Sequence, residues 1–188
     1  AFQKQVIVVT PNLYYTNQLA EDLRNVTDDV YVFPVDEVLS AEMAFSSPEA
    51  REERVAALNA VSQGKTGIYV LPVAALRKYL PEKKTWLANQ FQWQIGDEID
   101  LERLPQQLIL MGYERQSMIG KPGEFSIRGS ILDIYPLNAE YPVRIELFDV
   151  EIDSMRSFNV ETQRSVETLQ QVAILPTTEL VFSAEDLA

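Results

Sequence analysis

In the first 80 or so residues, short apolar runs of β character alternate with segments whose apolar positions recur at helical spacing. The run QVIVV (residues 5–9) leads to Thr10-Pro11-Asn12, and Asn12 is suited to cap a helix carrying Leu19 and Leu23 on one face. VYVFP reads as the second strand. Ser47-Pro48-Glu49 then supplies cap residue, first-turn proline and first-turn acid in the order that opens a helix. Val55, Leu58 and Val61 recur along that helix, and Gly64 stops it. GIYVLP is a third strand, with VAALRKYL helical after it and Pro81 ending that helix. Strand, helix, strand, helix, strand predicts a parallel sheet with crossover helices.

From Pro81 onward the pattern changes. Glu82-Lys83-Lys84 reads as a basic connector, FQWQI as a strand by its alternation, and residues 100–112 as a helix with Pro105 near its start. Closely spaced strands follow: YERQSMI, EFSIRG, ILDIYP, VRIELFD and IDSMRSF. Turns are expected at Lys121-Pro122-Gly123, Leu137-Asn138-Ala139 and Phe148-Asp149, and connections this short imply antiparallel meanders. VAILP (residues 172–176) adds one more buried strand. The expected fold class is α/β: a parallel-sheet lobe over residues 1–82, an inserted α+β domain of antiparallel strands over 83–160, and a segment over 161–188 that returns to the first lobe. No internal repeat or low-complexity segment interrupts this plan.

Composition narrows the chemistry. With 46% hydrophobic residues among 188, the chain is globular, and a chain of this size buries roughly 70% of its unfolded surface. No apolar run approaches the roughly 18 residues that span a bilayer, and AFQKQVIVVT lacks the basic start and cleavage site of a signal peptide. Absence of cysteine excludes disulfides and thiolate metal sites and fits a reducing cytoplasm, the expected location. Absence of histidine excludes the usual general base and the commonest zinc ligand. A net charge of -12, from 28 acids and 16 bases, disfavours a duplex-DNA surface, whose affinity comes from Lys and Arg on phosphates.

Gly64-Lys65-Thr66 imitates the end of a phosphate-binding loop. Such a loop needs a glycine five places upstream and a strand before, with a helix after; here Asn59 stands upstream, a helix precedes and a strand follows. A helix stop is the reading. The pairs Asp97-Glu98, Glu151-Asp153 and Glu185-Asp186 fall in turns or ends without a basic or metal-holding partner. No catalytic constellation, cofactor site or metal site emerges.

The stretch GEFSIRGSILDIYP (residues 123–136) keeps Arg128 inside a half-buried β segment. If Gly120-Lys121-Pro122-Gly123 is a four-residue hairpin loop, Ile119 pairs with Glu124. Met118 and Gln116 then face the core with Phe125 and Ile127, Ser117 lies opposite Ser126, and Arg115 lies opposite Arg128. Two guanidiniums across a ladder cost roughly 0.2–1 kcal/mol unless an anion sits between them. Glu124, Asp133 or Glu146 could supply that anion internally. Alternatively, the pair is a docking site for a carboxylate-bearing protein surface, since arginine forks suit planar bidentate pairing. Gly129 reads as a bulge, because the inward positions switch from odd (Phe125, Ile127) to even (Leu132, Ile134).

The run GYERQSMIGKPGEFSIRGSILDIYPLNAEYPVRIELFDVEIDSMRSFNVETQRS (residues 112–165) closely resembles the UvrB-like N-terminal module of the bacterial transcription-repair coupling factor (Mfd) family, and residues 34–81 look like that family too. FNVETQRS distinguishes it from UvrB, which shares the Tyr-Glu-Arg, Arg-Gly and acid-rich pieces and diverges after them. The resemblance implies a P-loop-derived lobe similar to UvrB domain 1a, an inserted domain 2 that binds UvrA, and a return segment that starts domain 1b. Arg115 matches the UvrA-contacting arginine of Tyr-Glu-Arg in UvrB, and Arg128 matches the second of two arginines flanking one residue before the glycine. Ser126 stands where the first of those two would be, so that contact is missing or replaced. The ATP site is degenerate in this family, and the chain begins after the place of a Walker A loop, so no nucleotide-binding residue is carried over. The polymerase-binding and motor parts of such a factor are absent, which marks a fragment.

What the resemblance implies is a non-catalytic adaptor that docks UvrA and links stalled transcription to excision repair. Arg115 and Arg128 are central to it, Ser117 and Ser126 lie beside them, and Phe125 and Ile127 hold the strands from behind. Its partners are UvrA and the other domains of the full-length protein, one of which the family implies masks the UvrA face, with no membrane or direct nucleic-acid contact. The alternatives are a fragment of an ATP-dependent helicase or of a UvrB-type damage-loading protein, which predicts nucleotide binding, and a DNA-binding module, which the charge disfavours.

Overall fold

The Asn12 side chain accepts a hydrogen bond from the Tyr15 amide at 3.1 Å, satisfying one of the free amides that begin a helix, and α1 (Leu13–Arg24) starts there. This computed structural model describes residues 4–35, 48–137 and 139–181, and the chain forms two units divided between Trp86 and Leu87. In the first unit, β1 (Gln5–Thr10), β2 (Val30–Val32) and β3 (Gly67–Pro72) form a parallel sheet in the order β1-β3-β2, as the alternation predicts. Ala20 of α1 is buried with Val30, Val32, Ile68 and Val70, and Val8, Leu19 and Leu23 pack against that cluster.

Between β2 and β3 lies α2 (Pro48–Ser62), which buries Val55 and Leu58 and leaves Val61 exposed. The expected Ser47 cap lies outside the described residues. Gly64 takes φ 73 after the last turn, and the amides of Gly64 and Lys65 bond back to the carbonyls of Val61 and Ala60. The Gly64-Lys65-Thr66 motif is thus a helix stop feeding a strand. Gly67 has to be glycine: at φ 150, a Cβ there would stand 2.7 Å from the Asp29 carbonyl oxygen.

Two expectations for the segment after β3 are corrected. VAALRKYL forms only a 3₁₀ turn, Val73–Arg77, with Leu76, Tyr79 and Leu80 exposed, so no buried face supports longer helix. Glu82-Lys83-Lys84 is no connector but the entry to α3 (Lys83–Ala88), whose Trp86 is buried.

The second unit is antiparallel in the main. Its elements are β4 (Phe91–Gln94), α4 (Leu104–Leu110), β5 (Glu114–Arg115), β6 (Glu124–Arg128), β7 (Ile131–Ile134), β8 (Val143–Phe148), β9 (Glu151–Phe158), β10 (Ser165–Thr168) and β11 (Gln171–Ile174). β5 to β10 form a six-stranded sheet in the order β10-β9-β8-β7-β6-β5, and β11 pairs with β4 in a separate ribbon. The VAILP strand therefore finds its partner in FQWQI. The α4 helix is shorter than predicted because Asp100 turns the chain first, its carboxylate accepting from the amides of Glu102 and Arg103, with Pro105 in the opening turn.

One face of the six-stranded sheet buries Phe125, Leu132, Ile134, Val143, Ile145, Leu147, Ile152 and Met155 against Leu104 and Leu108 of α4. Each such side chain contributes roughly 1.5–3 kcal/mol by leaving water. The polar residues between them point to the opposite face.

The expected hairpin between residues 113 and 128 is overturned: β5 runs parallel to β6, with Glu114 in register with Glu124 and Arg115 with Phe125. The cause lies in the connecting loop. Glu124 is buried, and its Oε2 accepts from the Gly120 amide at 2.7 Å and the Lys121 amide at 3.1 Å. Ser126 Oγ donates to the Ser117 carbonyl at 2.9 Å. These side chains tie down backbone groups of the connecting segment itself, and Gln116 and Met118 are exposed instead of lying in the core.

The expected bulge at Gly129 is also corrected. Arg128 pairs with Ile131, leaving Gly129-Ser130 as a two-residue hairpin loop with Gly129 at φ 61. Each residue of β6 then faces one of opposite parity on β7, so the switch from odd to even core positions follows from the turn itself.

Candidate docking surface

On the face of the second unit's sheet opposite the core, two rows of residues cross four strands in register. Ser126, Asp133, Arg144 and Arg156 form one row; Arg128, Ile131, Glu146 and Ser154 form the other. A like-charged pair does stand across a ladder here, but it is Arg144 and Arg156 on β8 and β9. Each has its own carboxylate. Arg156 Nη2 meets Glu146 Oε1 at 2.6 Å, and Ser154 Oγ donates to Glu146 Oε2 at 3.1 Å. The Arg156 hydrogen bond, with that of Ser154, holds the Glu146 carboxyl below the usual range.

Asp133 lies deeper, 2% exposed, and holds two arginines at once. Its Oδ1 accepts from Arg144 Nε at 2.6 Å, and its Oδ2 accepts from Arg144 Nη2 at 2.9 Å and Arg128 Nη2 at 2.6 Å. The fork to Asp133 raises the Arg144 guanidinium above its ordinary value, so it stays charged throughout the working range. Arg144 also stacks over the Phe158 ring, 4.4 Å from its centroid, and donates to Gln163 Oε1 at 2.9 Å. Gln163 is presented by a turn that Asn159 builds, its Oδ1 accepting from the amides of Glu161 and Thr162 while Gln163 itself sits at φ 57. The FNVETQRS motif thus has a local purpose: it closes over Arg144.

The sequence-predicted residues fall into distinct settings. Arg128 pairs with Asp133, yet its side chain is 46% exposed and the other guanidinium nitrogens are turned to no carboxylate among the described residues. Arg115 is exposed, makes no ion pair among the described residues, and stands in register with Phe125, whose pleat parity is opposite to that of Arg128. The two arginines therefore belong to opposite faces of the sheet, which overturns the expectation that they lie opposite each other on one flank of a ladder. Ser117 is exposed with its carbonyl tied to Ser126, and Ser126 and Phe125 are buried. Lys121 stands 3.8 Å from Glu114 and 4.0 Å from Glu124.

Sequence reasoning missed Arg144, Arg156 and Gln163. The alternation in VRIELF, with Val143, Ile145 and Leu147 inward, already puts Arg144 and Glu146 on the outer face; carrying the register across β7 would have brought Asp133 to Arg144. Among the described residues, no group of three or more acidic, histidine or cysteine side chains could hold a metal ion. No helix among them is long and apolar enough to cross a membrane.

Residues 91–180 match the family described as UvrB interaction domain. Over 187 residues, 98% of the chain, the sequence is 46% identical to the transcription-repair-coupling factor of Bacillus subtilis (strain 168), covering 16% of that protein. It is 39% identical over 184 residues to the transcription-repair-coupling factor of Staphylococcus aureus (strain MRSA252), covering 97% of the chain and 16% of that protein. With that of Staphylococcus haemolyticus (strain JCSC1435) it shares 40% identity over 183 residues, 96% of the chain and again 16% of the relative. The chain spans 16% of the length of these curated relatives.

Proposed function

We propose, from the premise that this chain is a homologue of one segment of the transcription-repair-coupling factors and carries a UvrB interaction domain, that its second unit is a non-catalytic docking module for UvrA. In that role it couples stalled transcription to excision repair as part of a longer protein. Residues 1–82 then correspond to a domain 1a-like lobe and 83–160 to a UvrA-binding domain 2-like insertion, while of the expected return segment, 161–188, the strands β10 and β11 pair with β9 and β4 and so belong to the second unit. The other domains of the longer protein are the second class of partner, and the cytoplasm is where it acts.

The observation that carries the reading is the half-exposed Arg128, held on a buried carboxylate while retaining free N–H groups, on a chain whose net charge is -12. A fixed basic position on an acidic protein suits a carboxylate-bearing partner surface. Arg115 is a second exposed cation, on the edge strand β5 and of the opposite pleat parity, so a partner engaging both would have to wrap around that edge, and Ser117 follows it in the loop. Ser126 and Phe125 serve from within, one holding the Ser117 carbonyl and the other anchoring β6 in the core.

Capture of UvrA by the isolated chain tests this reading. Arg115→Glu combined with Arg128→Gln is expected to lower affinity by roughly 2–6 kcal/mol, from about 1–3 for each side chain. Arg128→Glu is the poorer variant, since it would set a second carboxylate beside Asp133. Unchanged UvrA affinity in the double variant would defeat the assignment. Saturable ATP binding by the isolated chain would favour the rival reading of a helicase or damage-loading fragment.

A further inference from the structure

Asp133 is the least exposed acidic side chain on the outer face of the sheet, and its hydrogen bonds are unequal. Arg144 takes both oxygens in a side-on fork and is itself clamped by the Phe158 ring and Gln163. Arg128 takes one oxygen through one nitrogen, Nη2. Two cations therefore share one anion, leaving a net positive site, and only one of the two cations is substantially exposed: the Arg128 side chain at 46%, against 14% for Arg144. A surface arginine is otherwise free to sample many rotamers, and ordering it opposes binding. Here that ordering is built in.

We infer that Asp133 is a positioning residue for partner recognition: it takes one N–H of Arg128 Nη2 and so fixes the plane of the half-exposed guanidinium, leaving the remaining N–H groups preset for pairing with a planar carboxylate of the partner. The Arg144, Phe158 and Gln163 bracket fixes Asp133 so that this contact does not drift. The inference rests on the docking reading above for the identity of the partner, UvrA, but the presetting of Arg128 is a property of the free chain. It explains why a carboxylate is buried directly behind the cation meant to meet another carboxylate. The two anions would take different N–H groups of one guanidinium, which carries five.

The test is a mutant cycle read by calorimetric titration with UvrA. Asp133→Asn/Arg144→Gln removes both charges of the buried pair and leaves Arg128 in place. It is expected to weaken binding about tenfold in the wild-type background and to have no further effect in an Arg128→Ala background. An equal loss in both backgrounds, or no loss in either, overturns the inference. Arg128→Lys disturbs nothing buried; it is expected to bind as weakly as Arg128→Ala, because an ammonium held by Asp133 has no planar edge left to offer, and retained affinity would count against the idea. In the free chain, NMR relaxation at Arg128 Nε reads the presetting without any partner. An ordered guanidinium that becomes mobile in Asp133→Asn/Arg144→Gln supports the inference even if UvrA does not bind; a mobile one in the wild type overturns it.

Discussion

Replacing Glu124 should release the loop between β5 and β6 while leaving the sheet behind it standing. The Glu124 carboxylate is 7% exposed, and one of its oxygens accepts from the Gly120 and Lys121 amides at 2.7 and 3.1 Å. Hydrogen bonds to a charged acceptor are worth about 1.5–3 kcal/mol each, which sets an upper bound of about 3–6 kcal/mol for the pair. Gly120 and Lys121 are themselves exposed, so water replaces much of what is lost, and the buried carboxylate no longer has to be desolvated. The net loss for Glu124→Ala is then about 1–3 kcal/mol, a fall in Tm of roughly 4–24 °C for a unit of this size. Glu124→Gln keeps a neutral acceptor of the same reach and should lose about half as much. Hydrogen exchange supplies the sharper assay: the Gly120 and Lys121 amides should lose protection in Glu124→Ala while those of β7 and β8 keep theirs. If the two loop amides exchange equally fast in both proteins, the carboxylate does not hold the loop and the account of the parallel edge fails.

Phe125→Ala should cost about 3–5 kcal/mol in denaturant unfolding of the second unit, because Phe125 is fully buried in its core; a loss under 1 kcal/mol would mean the core collapses around the gap. Gly112→Ala should destabilise more than Gly129→Ala: both glycines have positive φ, but an added Cβ at Gly112 meets Thr177 Oγ1 at 2.6 Å, whereas nothing stands within 4 Å at Gly129. Thermal melts in which the order reverses would contradict that packing. Because the folded-state pKa of Glu146 is depressed, its contribution to stability is present above the ordinary carboxylate range and is lost as pH falls through the folded value. Glu146→Gln should therefore narrow the stability difference between neutral and acid pH, slightly because the side chain is 35% exposed, and a pH profile that steepens would show the sign to be wrong.

Much of the fold was legible because its signals were local. Asn12 announces α1, Gly64 ends α2, and the closely spaced runs after residue 122 announce a meander. Where the reading failed, the deciding interaction was either a side chain acting on backbone or a pairing register. A hairpin looked natural across Gly120-Lys121-Pro122-Gly123, but Glu124 and Ser126 capture the loop's own backbone groups, which alternation cannot reveal. The parity switch after Arg128 was visible, yet a two-residue turn produces it as readily as a bulge, and only the register separates them. Of the expected docking residues, Arg115 and Arg128 are accessible while Ser126 and Phe125 are interior. The Asp133 pairing stayed hidden because its three arginine contacts arise from register across three strands.

Hydrogen-exchange mass spectrometry of the chain with and without UvrA tests the docking account most directly. Slowed exchange at residues 114–131, spanning β5, its loop, β6 and the turn beyond Arg128, is the predicted result. Slowed exchange confined to the parallel sheet of the first unit, with residues 114–131 unchanged at saturating UvrA, would contradict it.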